Sequence, residues 1–152
     1  MANIVFYEKA GCAGNAKQRA LLERAGHTLV RRDLLTASWT RENLLPYLDP
    51  LPVGDWFNRA APRVKAGQVV PEQLTREAAL ALLVEEPLLI RRPLMQREDG
   101  ARLVGFELAE VERFVGLGAA RPSGSSSLEG CAALAGAAEA GLVSRDDVST
   151  KG

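Results

Sequence analysis

The first 33 residues of the chain carry the strongest constraint on its fold: strand-forming, loop-forming, helix-forming and strand-forming text in direct succession. Residues 2–8 (ANIVFYE) are apolar and aromatic with β-branched members, the pattern of a buried strand. Residues 9–14 (KAGCAG) hold two glycines and end that strand in a loop. From Asn15 to Ala25 the text NAKQRALLERA is strongly helix-forming, and Gly26 stands where a glycine terminates a helix. Residues 27–33 (HTLVRRD) then read as a second short strand. A strand, a helix and a strand joined by such short links predict a right-handed crossover with two parallel strands.

The middle of the chain is helical. Thr40 offers an N-cap to RENLLPYL, which Pro46 shortens or kinks. Residues 50–57 (PLPVGDWF) read as a turn into a short amphipathic helix, and residues 58–71 as a basic loop. Thr75 caps REAALALLVEE, with Glu77 in its first turn and Pro87 beyond its end. Two extended runs follow, 88–96 (LLIRRPLMQ) and 101–106 (ARLVGF), around a turn containing Asp99 and Gly100, which predicts a β-hairpin. Residues 107–115 (ELAEVERFV) close as an amphipathic helix with Leu108, Val111 and Val115 on one face. The order β-α-β, helical insert, α-β-β-α is an α/β arrangement of thioredoxin-like type. Beyond residue 116 no aromatic residue occurs, and the Ala-, Gly- and Ser-rich text predicts a linker and a mobile tail over 117–152.

Composition narrows the function. The chain has 152 residues, 47% hydrophobic and 25% charged, the make-up of a single globular domain. Nineteen basic and nineteen acidic side chains cancel, and no basic stripe marks a nucleic-acid binder. The longest apolar run, Ala78 to Val84, is far below the roughly 20 residues of a membrane span. MANIVFYEK shows no basic stretch leading into an apolar core, so a cytoplasmic protein is expected. Two cysteines and one histidine argue against a structural zinc site or a disulfide framework. The histidine, His27, directly follows Gly26 and reads as a strand-edge residue rather than a catalytic one. A phosphate-binding GxxxxGK[ST] loop is absent.

Two groups of residues could carry chemistry. Cys12 stands after a strand and just before a helix, where free backbone N–H groups and the helix dipole favour thiolate over thiol. The N–H groups of Ala13, Gly14 and Asn15 would bind an oxyanion at the same place. Position 15 is Asn, so the loop holds no CxxC, and turnover needs an outside thiol or Cys131. In the second group, Arg91-Arg92-Pro93, an arginine suits an oxyanion because its planar fork donates two hydrogen bonds. Consecutive strand residues face opposite ways, so only one of the pair would address a given site.

Tyr7-Glu8-Lys9-Ala10-Gly11-Cys12, the helix after it and Leu89-Ile90-Arg91-Arg92-Pro93-Leu94 resemble the arsenate reductase/Spx (ArsC-like) family of thioredoxin-fold proteins. MANIVFYEKAGC, WFNRAAPRVKAG and PLLIRRPLM resemble its nitrogenase-associated 15 kDa branch. The resemblance covers about residues 2–116. It implies Cys12 as nucleophile, Arg92 as the anion-binding arginine and a cis Pro93. It also implies no resident cofactor, with glutathione as co-substrate and glutaredoxin as its partner. The branch implies nitrogenase or its regulatory proteins as partners, while the balanced charge and short apolar runs imply neither a nucleic-acid nor a membrane partner. Two family arginines fall on Asn58, with Arg59 next to it, and on Gly105, which predicts poor arsenate reduction. Glu8-Lys9-Ala10 replaces the segment that tunes the family cysteine, and a carboxylate there repels a thiolate unless Lys9 or Arg92 compensates. The first expectation is a thiol-dependent oxidoreductase, the alternative an Spx-like protein-binding regulator, and the third a true arsenate reductase.

Overall fold

The computed structural model describes residues 1–122. Strand β1 (Asn3–Glu8) leads into helix α1 (Ala13–Arg24) and strand β2 (Thr28–Asp33). Helices α2 (Arg41–Leu48), α3 (Pro62–Lys65) and α4 (Arg76–Glu85) form the insert. Strands β3 (Leu94–Arg97) and β4 (Arg102–Val104) make the hairpin, and α5 (Leu108–Phe114) follows it. The sheet runs β2-β1-β3-β4, with β1 parallel to β2 and antiparallel to β3. This is the thioredoxin-like order read from the sequence.

Alternation along β1 divides the interior. Ile4 and Phe6 pack with Leu21 and Leu22 of α1 and with Leu108, Val111 and Phe114 of α5. Tyr7 turns the other way, toward a core built from Leu44 and Leu48 of α2, Leu83 of α4, Trp56, Phe57 and Leu94. Helix α1 ends as expected: Gly26, at φ +96°, donates to the Glu23 carbonyl while His27 N–H donates to that of Leu22, the paired bonds of a Schellman motif.

Several expectations need correction. Helix α1 begins at Ala13, two residues before the expected Asn15, because Cys12 takes the N-cap and Gly14 falls in the first turn. Residues 50–57 form only a single 3₁₀ turn, Val53–Asp55, instead of an amphipathic helix. The expected loop 58–71 contains α3, started by Pro62. The run 88–96 is not one strand. Pro87–Leu89 is a 3₁₀ turn, and Arg91 and Arg92 precede β3, so the alternation argument does not govern them. His27 is buried in the described fold: Nδ1 accepts from the Ala2 N–H (3.0 Å) and Nε2 donates to the Gly116 carbonyl (2.7 Å). Leu117, in the expected linker, is 2% exposed and belongs to the α1-side core. The remainder of the expected tail, with Cys131, lies outside the described residues. No helix among them is long and apolar enough to cross a membrane.

Candidate active site

The C-terminal end of β1 and the start of β3 meet at one end of the sheet, since Tyr7 pairs with Leu94. That register brings the loop after β1, with Cys12, and the Arg92-Pro93 segment before β3 to the same end. Cys12 is the N-cap of α1, with extended backbone (φ −79°, ψ 117°) and 6% exposure. Its Sγ accepts the Asn15 N–H at 3.4 Å, so the sulfur sits over the first turn, where the helix dipole favours a negative charge. Ala13 and Gly14, the next two residues, have no carbonyl of the helix to donate to and complete a local set of N–H groups.

Asn15 holds this turn in shape from below. Its Oδ1 accepts the Lys9 N–H at 3.0 Å and its Nδ2 donates to Gln18 Oε1 at 2.7 Å. The side chain at the position of a second CxxC cysteine therefore braces the loop. The sequence points only to the Asn15 backbone N–H, and the structure adds this bracing by its side chain.

Glu8 is 4% exposed, and its carboxylate is bridged by two arginines rather than by Lys9 or Arg92. Arg19 Nε of α1 donates to Oε1 at 2.8 Å and Arg31 Nε of β2 to Oε2 at 2.6 Å. Glu8 is thus a paired carboxylate, one buried negative charge flanked by two positive ones, and not the lone charge expected from the sequence.

Just before β3, the Arg92-Pro93 peptide bond is cis. Arg92 is 7% exposed, and its Nε and Nη1 atoms are shut off from solvent. Burial pulls its pKa below the usual arginine value, yet a guanidinium stays charged in proteins. Arg91 lodges its guanidinium against Gly105, where a Cβ would come within 2.5 Å of Nη2, and donates from Nη1 to the Asp55 carbonyl at 3.3 Å. Gly105, with φ +85° and its N–H donating to the Pro93 carbonyl, thus leaves room for a second arginine beside the cis peptide. Nothing local in the sequence joins positions 91 and 105.

Residues 56–58 run beside 89–91 through bonds from Asn58 N–H to Leu89 O and from Arg91 N–H to Trp56 O. Asn58 is buried, whereas Arg59 turns its guanidinium to the Glu72 carboxylate and the Gly54 carbonyl. Hydrogen bonding from Arg59 holds the Glu72 carboxyl below its usual pKa. Of the residues expected at the site, Cys12, Ala13, Gly14, Asn15, Arg92 and Pro93 share the sheet end. Arg59 is occupied elsewhere. Among the described residues no group of three His, Cys, Asp or Glu side chains is placed to hold a metal.

Comparison with known proteins agrees with the fold. The model of the ArsC family matches residues 16–114. An uncharacterized 15.7 kDa protein in the draG 3′ region of Rhodospirillum rubrum is 48% identical over 122 residues, covering 80% of this chain and 85% of that one. The global transcriptional regulator Spx 2 of Bacillus cereus is 24% identical over 114 residues, 74% of this chain and 86% of the regulator. Among solved structures, an ArsC family related protein from Bacteroides fragilis superposes with TM-score 0.64 at 26% identity, covering 72% of this chain and 95% of the other. An arsenate reductase from Vibrio cholerae gives TM-score 0.58 at 24% identity over 76% of this chain and 98% of its own, a likeness of fold.

Proposed function

Because the chain belongs to the ArsC family, we propose that it is a thiol-dependent oxidoreductase in which the Cys12 thiolate is the nucleophile and Arg92 anchors the anionic end of the substrate. The observation that carries the reading is Cys12 at the N-cap of α1, its sulfur over the first-turn N–H groups, at the sheet end that holds Arg92-Pro93. With a disulfide substrate, Cys12 sulfur bonds to one substrate sulfur and the other leaves as thiolate. A glutathione thiolate then attacks the mixed disulfide, forms a new disulfide with the substrate half and returns Cys12 as thiolate. Two glutathione-derived electrons reach the substrate once a second glutathione, or glutaredoxin, resolves that product. The Ala13 and Gly14 N–H groups and Arg92 hold the anionic end, and Arg91 adds a second positive charge beside Pro93.

A glutathione-linked reduction assay tests this. Cys12→Ser is expected to abolish turnover, and Arg92→Met to lower kcat/KM by about 10²-fold, the cost of losing a charged hydrogen-bonding clamp. Full activity in Cys12→Ser would refute the reading.

A second reading, an Spx-like binding module, is favoured by one observation: Asn58 and Gly105 stand where the family resemblance puts arginines. In it the same sheet end docks a protein instead of reducing a substrate, and Cys12→Ser leaves partner binding intact. The Rhodospirillum rubrum relative, named for its place in the draG 3′ region, supports a connection with nitrogen fixation, with nitrogenase or its control proteins as the partners to try first. Arsenate reduction is the weakest of the three, and protection of an arsenate-sensitive strain would be needed to revive it.

A further inference from the structure

A cavity of about 210 Å³ lies between the sheet and α2, on the sheet face turned away from α1. Tyr7 of β1, Gln96 of β3 and Arg102 of β4 form its floor, and Trp39 with Glu42, Pro46 and Tyr47 lines its other side, leaving it open to solvent. The register requires that floor: Val5 pairs with Gln96 and Gln96 with Arg102, and Tyr7 is two residues along β1 from Val5.

Three rings make the walls. Tyr7 and Trp39 are 4.9 Å apart and tilted by 52°, while Tyr47 stands edge-on to both, at 6.3 and 6.1 Å. Rings at steep mutual angles enclose space instead of stacking it shut. Most polar groups here are spent on the protein. The Trp39 indole N–H donates to the Leu34 carbonyl, and Tyr47 hydroxyl donates to Gln96 Oε1. Asn43, also on the lining, uses its amide on Thr40 N–H and the Ser38 carbonyl.

Two lining residues carry charge, Glu42 and Arg102, and the Arg102 guanidinium also hydrogen-bonds the Tyr47 hydroxyl. Glu42 and Arg102 form no ion pair among the described residues, and the Arg102 guanidinium carbon lies 5.3 Å from the Tyr47 ring centroid. Pro46 has no N–H, so the Glu42 carbonyl lacks its usual amide four residues on and adds a second acceptor on the α2 side. A lone anion would be repelled by Glu42 and a lone cation by Arg102. One charge of each sign on facing walls, with aromatic surface between, matches a ligand carrying both charges on a short apolar body. We propose that this cavity binds an aliphatic α-amino acid as its zwitterion, the carboxylate on Arg102, the ammonium on the Glu42 carboxylate and carbonyl, and the side chain against the rings.

The test is titration of the ¹⁵N-labelled full chain with L-valine, read at the two indole N–H signals. Trp39 reports the cavity, and Trp56, 0% exposed and bonded to the Leu51 carbonyl, is the internal control. A saturable shift at Trp39 without one at Trp56 is expected. Isobutylamine and 3-methylbutanoate, each lacking one of the two charges, should bind at least about tenfold more weakly, as should L-valine to Glu42→Gln and Arg102→Gln. No saturable shift at Trp39 would overturn the proposal. So would 3-methylbutanoate or isobutylamine binding as tightly as L-valine, or undiminished binding by both variants. The two fragment ligands keep the test decisive should either variant fold poorly.

Discussion

At Gly105 a single missing side chain sets the position of an arginine fourteen residues earlier in the sequence. The φ of +85° costs a non-glycine residue about 1–2 kcal/mol, and a Cβ there would also push the Arg91 guanidinium off its seat. Gly105→Ala is therefore expected to destabilise the protein by about 1–2 kcal/mol in urea unfolding. Because the guanidinium ends a flexible side chain and can move aside, most of that cost should persist in an Arg91→Ala background. Equal stability of Gly105→Ala and the parent would contradict this account. The contrast with Cys12 shows what a sequence reveals about single residues. The N-cap position of Cys12 was legible because it is set by neighbours within a few positions, the strand end before it and the helix start after it. Arg91 and Gly105 meet only through the hairpin, and Glu8 finds Arg19 and Arg31 only once α1 and β2 are in place.

Elements with local stop and start signals were read correctly, and those defined by partners were not. Thr40 caps α2 as expected: its Oγ1 accepts the Asn43 N–H at 3.1 Å while Asn43 Oδ1 takes the Thr40 N–H at 2.8 Å. Loss of that reciprocal pair in Thr40→Ala should cost about 1 kcal/mol. The run 88–96, by contrast, is uniformly apolar around its arginines, and such text cannot tell a buried turn from a strand. Pairing with Trp56 and Asn58 decides it. The β3-β4 hairpin carries its own pH signature. Arg97 grips Asp99 with two bonds, Nε to Oδ1 at 2.9 Å and Nη2 to Oδ2 at 2.6 Å, and holds its carboxyl at a pKa of about 2. A carboxyl lowered in the folded state stabilises the fold above its unfolded pKa, and that contribution fades as pH falls from about 4 towards 2. The Asp99 carboxyl ¹³C signal should titrate near that value and rise towards about 3.9 in Arg97→Met, where the Ala101 N–H bond to Oδ1 remains. A midpoint near 3.9 in the parent would contradict the bidentate grip.

For the whole molecule, two buried hydrogen-bonding centres tie distant parts together. Glu8 joins β1, α1 and β2, while His27 joins the chain start at Ala2 to Gly116 beyond α5. Glu8→Gln is expected to lose about 2 kcal/mol, toward the low side for a broken buried pair because Arg31 reaches solvent. His27→Ala should cost a similar amount, about 2–3 kcal/mol, through two lost bonds and a vacated site, with faster amide exchange at Ala2. Overall architecture was visible in the order of elements because short links leave few topologies open. The buried roles of Glu8 and His27 were not, since each depends on atoms far away in the chain. The proposed function rests on the Cys12 sulfur, at the N-cap of α1, acting as the nucleophile. The rate of Cys12 alkylation at neutral pH in a Cys131→Ala background tests it most directly. Alkylation faster than that of an unfolded-peptide thiol is the result expected for a cysteine at the N-cap of α1. A rate equal to or below that of the unfolded-peptide thiol would contradict it.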